Sequence, residues 1–147
     1  MTEVEKDRLC RQIVDGVGDA VIFCDRDGVI RLWNRAAEGI FGYSEKEAVG
    51  QLLNGIILER AQKSGKRGYG KAMLNSFTGY VAETVPAIAV TKAGERISIE
   101  VTSNRIRDSR GKVLGSVAVI RDVTAIRQRE QLLRQKVAFL QAGQTAA

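Results

Sequence analysis

Residues 24–42 read CDRDGVIRLWNRAAEGIFG and carry, in nineteen positions, a tight turn, an alternating strand and a helix with a signal at each end. Asp27-Gly28 is a dipeptide favoured in short hairpin loops, because glycine accepts the positive φ such turns require. On either side lie AVIFCD (20–25) and VIRLWN (29–34), both rich in β-branched and aromatic residues, so the pair reads as a hairpin. Asn34 stands where an N-cap belongs, RAAEGIF follows it, and Gly42 is in place to close the helix in the left-handed conformation. Ser44 and Glu47 have the spacing of a capping box, so a second short helix is predicted to start at once.

Upstream, Thr2 to Asp15 is charged, with apolar positions Val4, Leu9, Ile13 and Val14. A short amphipathic helix that docks this apolar face is expected, ended by Gly16 and Gly18. Downstream, QLLNGIILERAQKSGKRG (51–68) follows Leu52, Leu53, Ile56 and Ile57 with a basic, glycine-bearing loop, which predicts a short helical turn and then a connector. A further helix is predicted from about Arg67 to Phe77. It sets Tyr69, Met73 and Phe77 on one face, although Gly68 and Gly70 weaken its first turn. That stripe reads either as core or as the wall of a ligand pocket.

The last third alternates strands and turns: ETVPAIAVT (83–91), KAGE, RISIEVTSNRI (96–106), RDSRGK, and VLGSVAVIRDV (113–123). Ile97, Ile99 and Val101 alternate with Ser98, Glu100 and Thr102, so one face of that strand is buried and the other polar. Pro86 assigns its strand to an edge or a bulge, since proline cannot donate to a ladder. From Val123 to Gln141, Ile126, Leu133 and Leu140 recur every seven residues, with Val123, Glu130 and Val137 on the companion seam. The pattern spans under three heptads and reads as the start of a longer helix or as a dimer contact.

A chain of 147 residues, 44% hydrophobic, suffices for one domain with a tail. No apolar run is long enough to cross a membrane, and MTEVEKDRL is too charged for a signal peptide; a cytoplasmic chain with no membrane partner is expected. Cys10 and Cys24 lack a C-x-x-C spacing and read as buried or idle thiols. A net charge of +6 invites a nucleic-acid reading, and Lys63, Lys66, Arg67 and Lys71 form the densest basic group. The remaining basic residues are scattered and aromatics make up only 5%, so a solvated surface and no nucleic-acid partner are expected. Histidine is absent, which removes the commonest metal ligand, general base and pH switch. With no G-x-S-x-G and no phosphate-binding glycine loop before Lys-Ser or Lys-Thr, the chain is expected to be no enzyme and to hold no metal.

Two strands, short helices, three strands and an exit helix make an α+β plan with an antiparallel sheet covered on one face. DAVIFCDRDGVIRLWNRAAEGIFGYSEKEAVGQ (19–51) resembles the opening half of a PAS domain, and KAGERISIEVTSNRIRDSRGKVLGSVAVIRDVTAIRQRE (92–130) resembles its closing half. The resemblance covers about Asp15 to Glu130. It implies a five-stranded antiparallel sheet of order 2-1-5-4-3, with an N-terminal flanking helix over 1–16, the PAS domain over 17–123, and a coiled-coil-like exit helix and tail over 124–147. It further implies an apolar pocket lined by Ile22, Phe41, Leu53, Ile57, Tyr69, Met73, Phe77, Ile88, Ile99, Val101 and Val119. The segment RDVT, Arg121 to Thr124, resembles the family's Asp-Ile-Thr junction. By that resemblance Asp122 and Thr124 couple sheet to helix; by residue type alone they end a strand and cap a helix.

For a bound group, the resemblance leaves the cofactor unknown: none, or a small apolar or flat molecule. Photoadduct flavin members place a cysteine in the middle helices, whereas Cys10 and Cys24 both precede them. Haem ligated by histidine is excluded by composition, while QKSGKRGYGKAM (62–73) leaves Tyr69 or Met73, or a cysteine, as non-histidine ligands. The function implied is a bacterial sensory and dimerisation module. Its homodimer forms through the flanking helices, with Val123, Ile126, Leu133, Val137 and Leu140 in contact, and an output domain is expected beyond Ala147. The alternatives are a haem- or flavin-binding redox or gas sensor without histidine, and a ligand-free protein–protein interaction domain.

Overall fold

The first hairpin forms where its turn chemistry places it. In the computed structural model, which describes residues 1–58 and 84–145, β1 (Ala20–Asp25) pairs antiparallel with β2 (Ile30–Trp33), Ile22 lying opposite Trp33. Gly28 takes φ +83° and its N–H donates to the Asp25 carbonyl at 3.0 Å. The carboxylate that holds the turn is Asp25, whose Oδ1 accepts from the Asp27 and Val29 amides at 2.9 and 3.1 Å. Arg31 binds its other oxygen at 2.9 Å. That guanidinium contact, with the two amides, holds the Asp25 carboxyl below the usual carboxylate range.

β3 (Val85–Val90), β4 (Arg96–Arg107) and β5 (Val113–Asp122) complete a five-stranded sheet of order β2-β1-β5-β4-β3 with every pairing antiparallel. β3 is an edge strand, which is where Pro86 can sit without removing a ladder bond. The register aligns Ile22 with Ala118, Val101 with Ile120 and Ala87 with Ile99, so one face collects the buried side chains of all five strands. Gly115 is forced by the same pairing: a Cβ there would stand 2.0 Å from the Cys24 carbonyl oxygen.

The buried face is covered by α2 (Arg35–Phe41), α3 (Glu45–Ala48) and a π-helical turn (Asn54–Leu58), the last standing where a short helical turn was expected. Gly42 at φ +81° ends α2, and Ser44 with Glu47 forms the capping box of α3. Trp33 and Phe41 pack as a tilted pair, centroids 5.6 Å apart, and the Trp33 indole N–H donates to the Tyr43 carbonyl at 2.9 Å. The helix predicted from about Arg67 to Phe77 lies outside the described residues.

The flanking helix α1 (Glu3–Gly16) is capped by Thr2 and Glu5, and none of its residues is buried. Among the described residues, its apolar face meets nothing within this chain. Arg11 makes the contact, binding Asp15 at 3.1 Å and Glu45 of α3 at 2.7 Å, while Leu9 and Ile13 project from the opposite side of the helix into solvent. The exit helix α4 (Thr124–Thr145) follows β5 at once.

Candidate functional site

Three structures surround the sheet's covered face: an apolar cluster, a polar joint at its N-terminal end and a second joint at its C-terminal end. The cluster is built by alternation. Ile22 on β1, Ile99 and Val101 on β4, Phe41 on α2, and Leu53 and Ile57 beside the π-helical turn all fall in one buried group with Trp33 and Ile120. Ala87, Ala89 and Ala118 supply small side chains on the same face, and the π-helical turn packs against β3 there. Cys24 is buried in this cluster, and burial, reinforced by the Asp25 charge, pushes its thiol up to about 12. It is a neutral thiol at physiological pH and is shut away in the core, whereas Cys10 lies exposed on α1.

The N-terminal joint is Asn34, only 1% exposed. Its Oδ1 accepts from the Ala37 amide at 3.0 Å, as a cap should, and also from the Val21 amide at 2.9 Å. Its Nδ2 donates to the Val14 carbonyl at 2.8 Å and to the Asp19 carbonyl at 3.1 Å. One side chain thereby ties the end of α1, the start of β1 and the start of α2. Asp15 adds to the joint by accepting from the Arg35 amide at 3.2 Å.

The C-terminal joint is made by Asp122, Thr124 and Ser98. The Val123 amide donates to the Ser98 carbonyl at 2.9 Å, and the Ser98 amide donates to Thr124 Oγ1 at 2.9 Å. The threonine hydroxyl therefore stands in for the main-chain acceptor that β5 no longer supplies. Asp122 Oδ1 in turn accepts from the Thr124 hydroxyl at 2.6 Å and from its amide at 3.0 Å, fixing the hydroxyl's direction. Beyond the joint, α4 and the outer side of the sheet enclose an open cavity of about 620 Å³, lined by Glu100, Arg121, Val123, Ile126, Glu130 and Arg134 among others.

The PAS fold profile matches residues 8–123 of the chain. The chain belongs to the PAS family. Among its relatives, the signal transduction histidine-protein kinase AtoS of Escherichia coli is 25% identical over 135 residues, covering 92% of this chain and 21% of AtoS. The sensor protein FixL of Bradyrhizobium diazoefficiens is 41% identical over 59 residues, covering 40% of this chain and 12% of FixL. This PAS chain thus spans about a fifth or less of the curated relatives' length. Of solved structures, the PAS domain of a protein from Colwellia psychrerythraea superposes with a TM-score of 0.63 at 25% identity, over 84% of this chain and 99% of that one. An RNA-binding Light-Oxygen-Voltage receptor reaches 0.75 at 18% identity, over 97% of this chain and 40% of the receptor, a likeness of fold alone.

Within the PAS domain, Ile22, Phe41, Leu53, Ile57, Ile99 and Val101 stand together as the sequence predicted. Two assignments are corrected. Ile88 pairs with Ser98 and Val119 with Thr102, which puts both on the opposite side of the sheet, Val119 at 36% exposure. The inward positions of those strands are Ala87, Ala89, Ala118 and Ile120; choosing the bulkiest residues chose the wrong phase. Tyr69, Met73 and Phe77, and the basic group Lys63, Lys66, Arg67 and Lys71, lie outside the described residues. Asp122 and Thr124 form the expected joint, while Ser98 escaped notice because it acts through its main chain. Asn34's donor bonds were missed as well, although an asparagine in place of serine or aspartate at a cap is itself a signal, since its amide offers two N–H donors beside the capping oxygen. Among the described residues no group of three or more His, Cys, Asp or Glu side chains could hold a metal, and no helix is long and apolar enough to cross a membrane.

Proposed function

We propose that this PAS domain is the sensory and dimerisation module of a bacterial signal-transduction protein, and that occupancy of the apolar space between sheet and covering helices is relayed to α4. The observation that supports the relay is the bond from the Ser98 amide to Thr124 Oγ1. Ser98 lies on β4 between Ile97 and Ile99, both members of the apolar cluster, so a repacking that shifts β4 reaches the first turn of the exit helix through that bond and the Val123 amide. A ligand that prefers one arrangement of β4 shifts the population of helix arrangements by its differential affinity and no more.

The ligand that fits is small and apolar or flat, held by area at roughly 25 cal/mol per Å². The unit is 17–123, with 1–16 and 124–147 as flanks through which two copies pair. It performs no catalysis; kinase activity of the kind named for AtoS belongs to a linked or separate output segment. It works in the cytoplasm, without nucleic acid. Photoadduct chemistry is disfavoured because Cys10 on α1 and Cys24 on β1 both precede the covering helices.

Native mass spectrometry and an absorption spectrum of the protein as purified identify what is bound. With a ligand in hand, Thr124→Val should leave the ligand's rise in Tm unchanged and abolish its effect on amide exchange in α4. Persistence of the α4 effect in that variant defeats the relay. A second reading, a ligand-free interaction domain, is favoured by the closed packing of Trp33 on Phe41. A native mass equal to the polypeptide alone would select it, and a haem or flavin spectrum would select the non-histidine cofactor reading instead.

A further inference from the structure

The apolar seam of α4 is interrupted by a charge at one defined layer. Ile126, Glu130, Leu133, Val137 and Leu140 follow the spacing four, three, four, three, so Glu130 and Val137 are a positions and Ile126, Leu133 and Leu140 are d positions; Val123, one heptad before Glu130, precedes the helix and is buried in its own domain, which corrects its assignment to the dimer contact. From Ile126 onward the apolar members are more than half exposed. The flanking e and g positions of the central stretch are Arg127, Arg129, Arg134 and Lys136, all basic. Glu130 is the only acid of the helix, and among the described residues it has no ion-pair partner.

We propose that α4 pairs with α4 of a second copy in parallel register, and that Glu130 is the layer that sets this register. The inference rests on the dimer reading above and specifies its geometry. In a parallel pair each a side chain packs beside the preceding g residue of the opposite helix, so each Glu130 meets Arg129 of the second copy. Two carboxylates and two guanidiniums then share one layer and balance in charge. A slip of one heptad sets one Glu130 against Val137 and carries the other past Ile126 to the start of the opposite helix, beside Asp122, so one carboxylate meets an apolar side chain and the other a like charge. An antiparallel pair brings e against e and g against g, Arg127 to Arg134 and Arg129 to Lys136, with only repulsion between them.

Register is gained at the expense of tightness, as with other polar residues at a positions. The pair divides into a short apolar step at Ile126, next to the Thr124–Ser98 joint, and a longer one from Leu133 to Leu140. The first step can rearrange without opening the second.

Sedimentation equilibrium on the full chain provides the test. Glu130→Leu should tighten self-association by at least about tenfold and admit trimers or tetramers, seen by native mass spectrometry, because register is no longer selected. Glu130→Cys in a Cys10→Ser background should cross-link two copies on mild oxidation, position 130 facing itself only in the parallel register. If the parent chain dimerises and Glu130→Leu is no tighter, or the cysteine variant fails to cross-link, the inference is overturned and the dimer reading stands. A monomeric parent with a dimeric Glu130→Leu supports it. If parent and variant both stay monomeric at the highest attainable concentration, the dimer reading itself falls, and this inference with it.

Discussion

The two joints at the ends of the PAS sheet do similar jobs with different means. Asn34 is fully enclosed and makes four hydrogen bonds, three of them to main-chain groups outside its own cap. Thr124 is half-buried, and its hydroxyl makes two close bonds, to the Ser98 amide and the exposed Asp122, with a longer contact to the Ser98 carbonyl at 3.4 Å. The entrance is therefore a rigid structural fitting, while the exit is a contact that small changes in β4 can make or break. Stability is concentrated at one end and adjustability at the other, as the proposed relay through the exit helix requires.

The contrast is most exposed at Asn34. Replacing it by alanine strands the Val21 and Ala37 amides and the Val14 and Asp19 carbonyls, and should cost about 3 kcal/mol, read from the shift of the urea midpoint at constant m-value. A loss near 1 kcal/mol would reduce Asn34 to an ordinary helix cap.

The two cysteines probe the same end of the molecule. A thiol reagent at neutral pH should modify Cys10 rapidly and Cys24 only on unfolding. Because the folded chain holds the Cys24 proton up to about pH 12 and the unfolded chain releases it near 9, stability should fall as pH rises between those values. Stability that is flat across that window, followed by denaturant titration, would contradict the burial of the thiol.

At the exit, Thr124→Val should cost only about 1 kcal/mol, yet it should speed exchange of the Ser98 amide well beyond the change in global stability. Unchanged exchange at Ser98 would remove the physical basis of the relay. The smallest effect belongs to Arg11→Ala, about 0.5 kcal/mol, since its ion pairs to Asp15 and Glu45 are half exposed and screened by salt. A loss of 2 kcal/mol or more there would show that α1 is held by Arg11 rather than by Asn34.

What was legible in the sequence was what local chemistry decides. The Asp-Gly turn, the Asn34 and Ser44 caps, Gly42 and the alternation at Ile97, Ile99 and Val101 all act within a few residues, and the family resemblance arranged them in the observed order. What escaped depends on register or on distant partners. Ile88 and Val119 were assigned by bulk, while their strands' phase is set by pairing with Ser98 and Thr102. Asn34 bonds to Val14, twenty residues upstream, and no spacing rule reaches that far. On α1, the contact of Arg11 was not legible, because Arg11 finds its partner only once Glu45 has been brought beside it by α3.

The substitution of a hydroxyl for a strand carbonyl at Thr124 bears on how such domains are exchanged between proteins. The β4 ladder is completed by Val123 and Thr124, and no described residue of α4 after them is buried. Recombination just after Thr124 therefore cuts no core contact. A foreign helix joined there in multiples of seven residues inherits both the fold and the rotational phase of its seam, while an insertion of three or four residues keeps the fold and turns the seam away. If α4 pairs as proposed, the joint is a splice point whose grammar is counted in heptads.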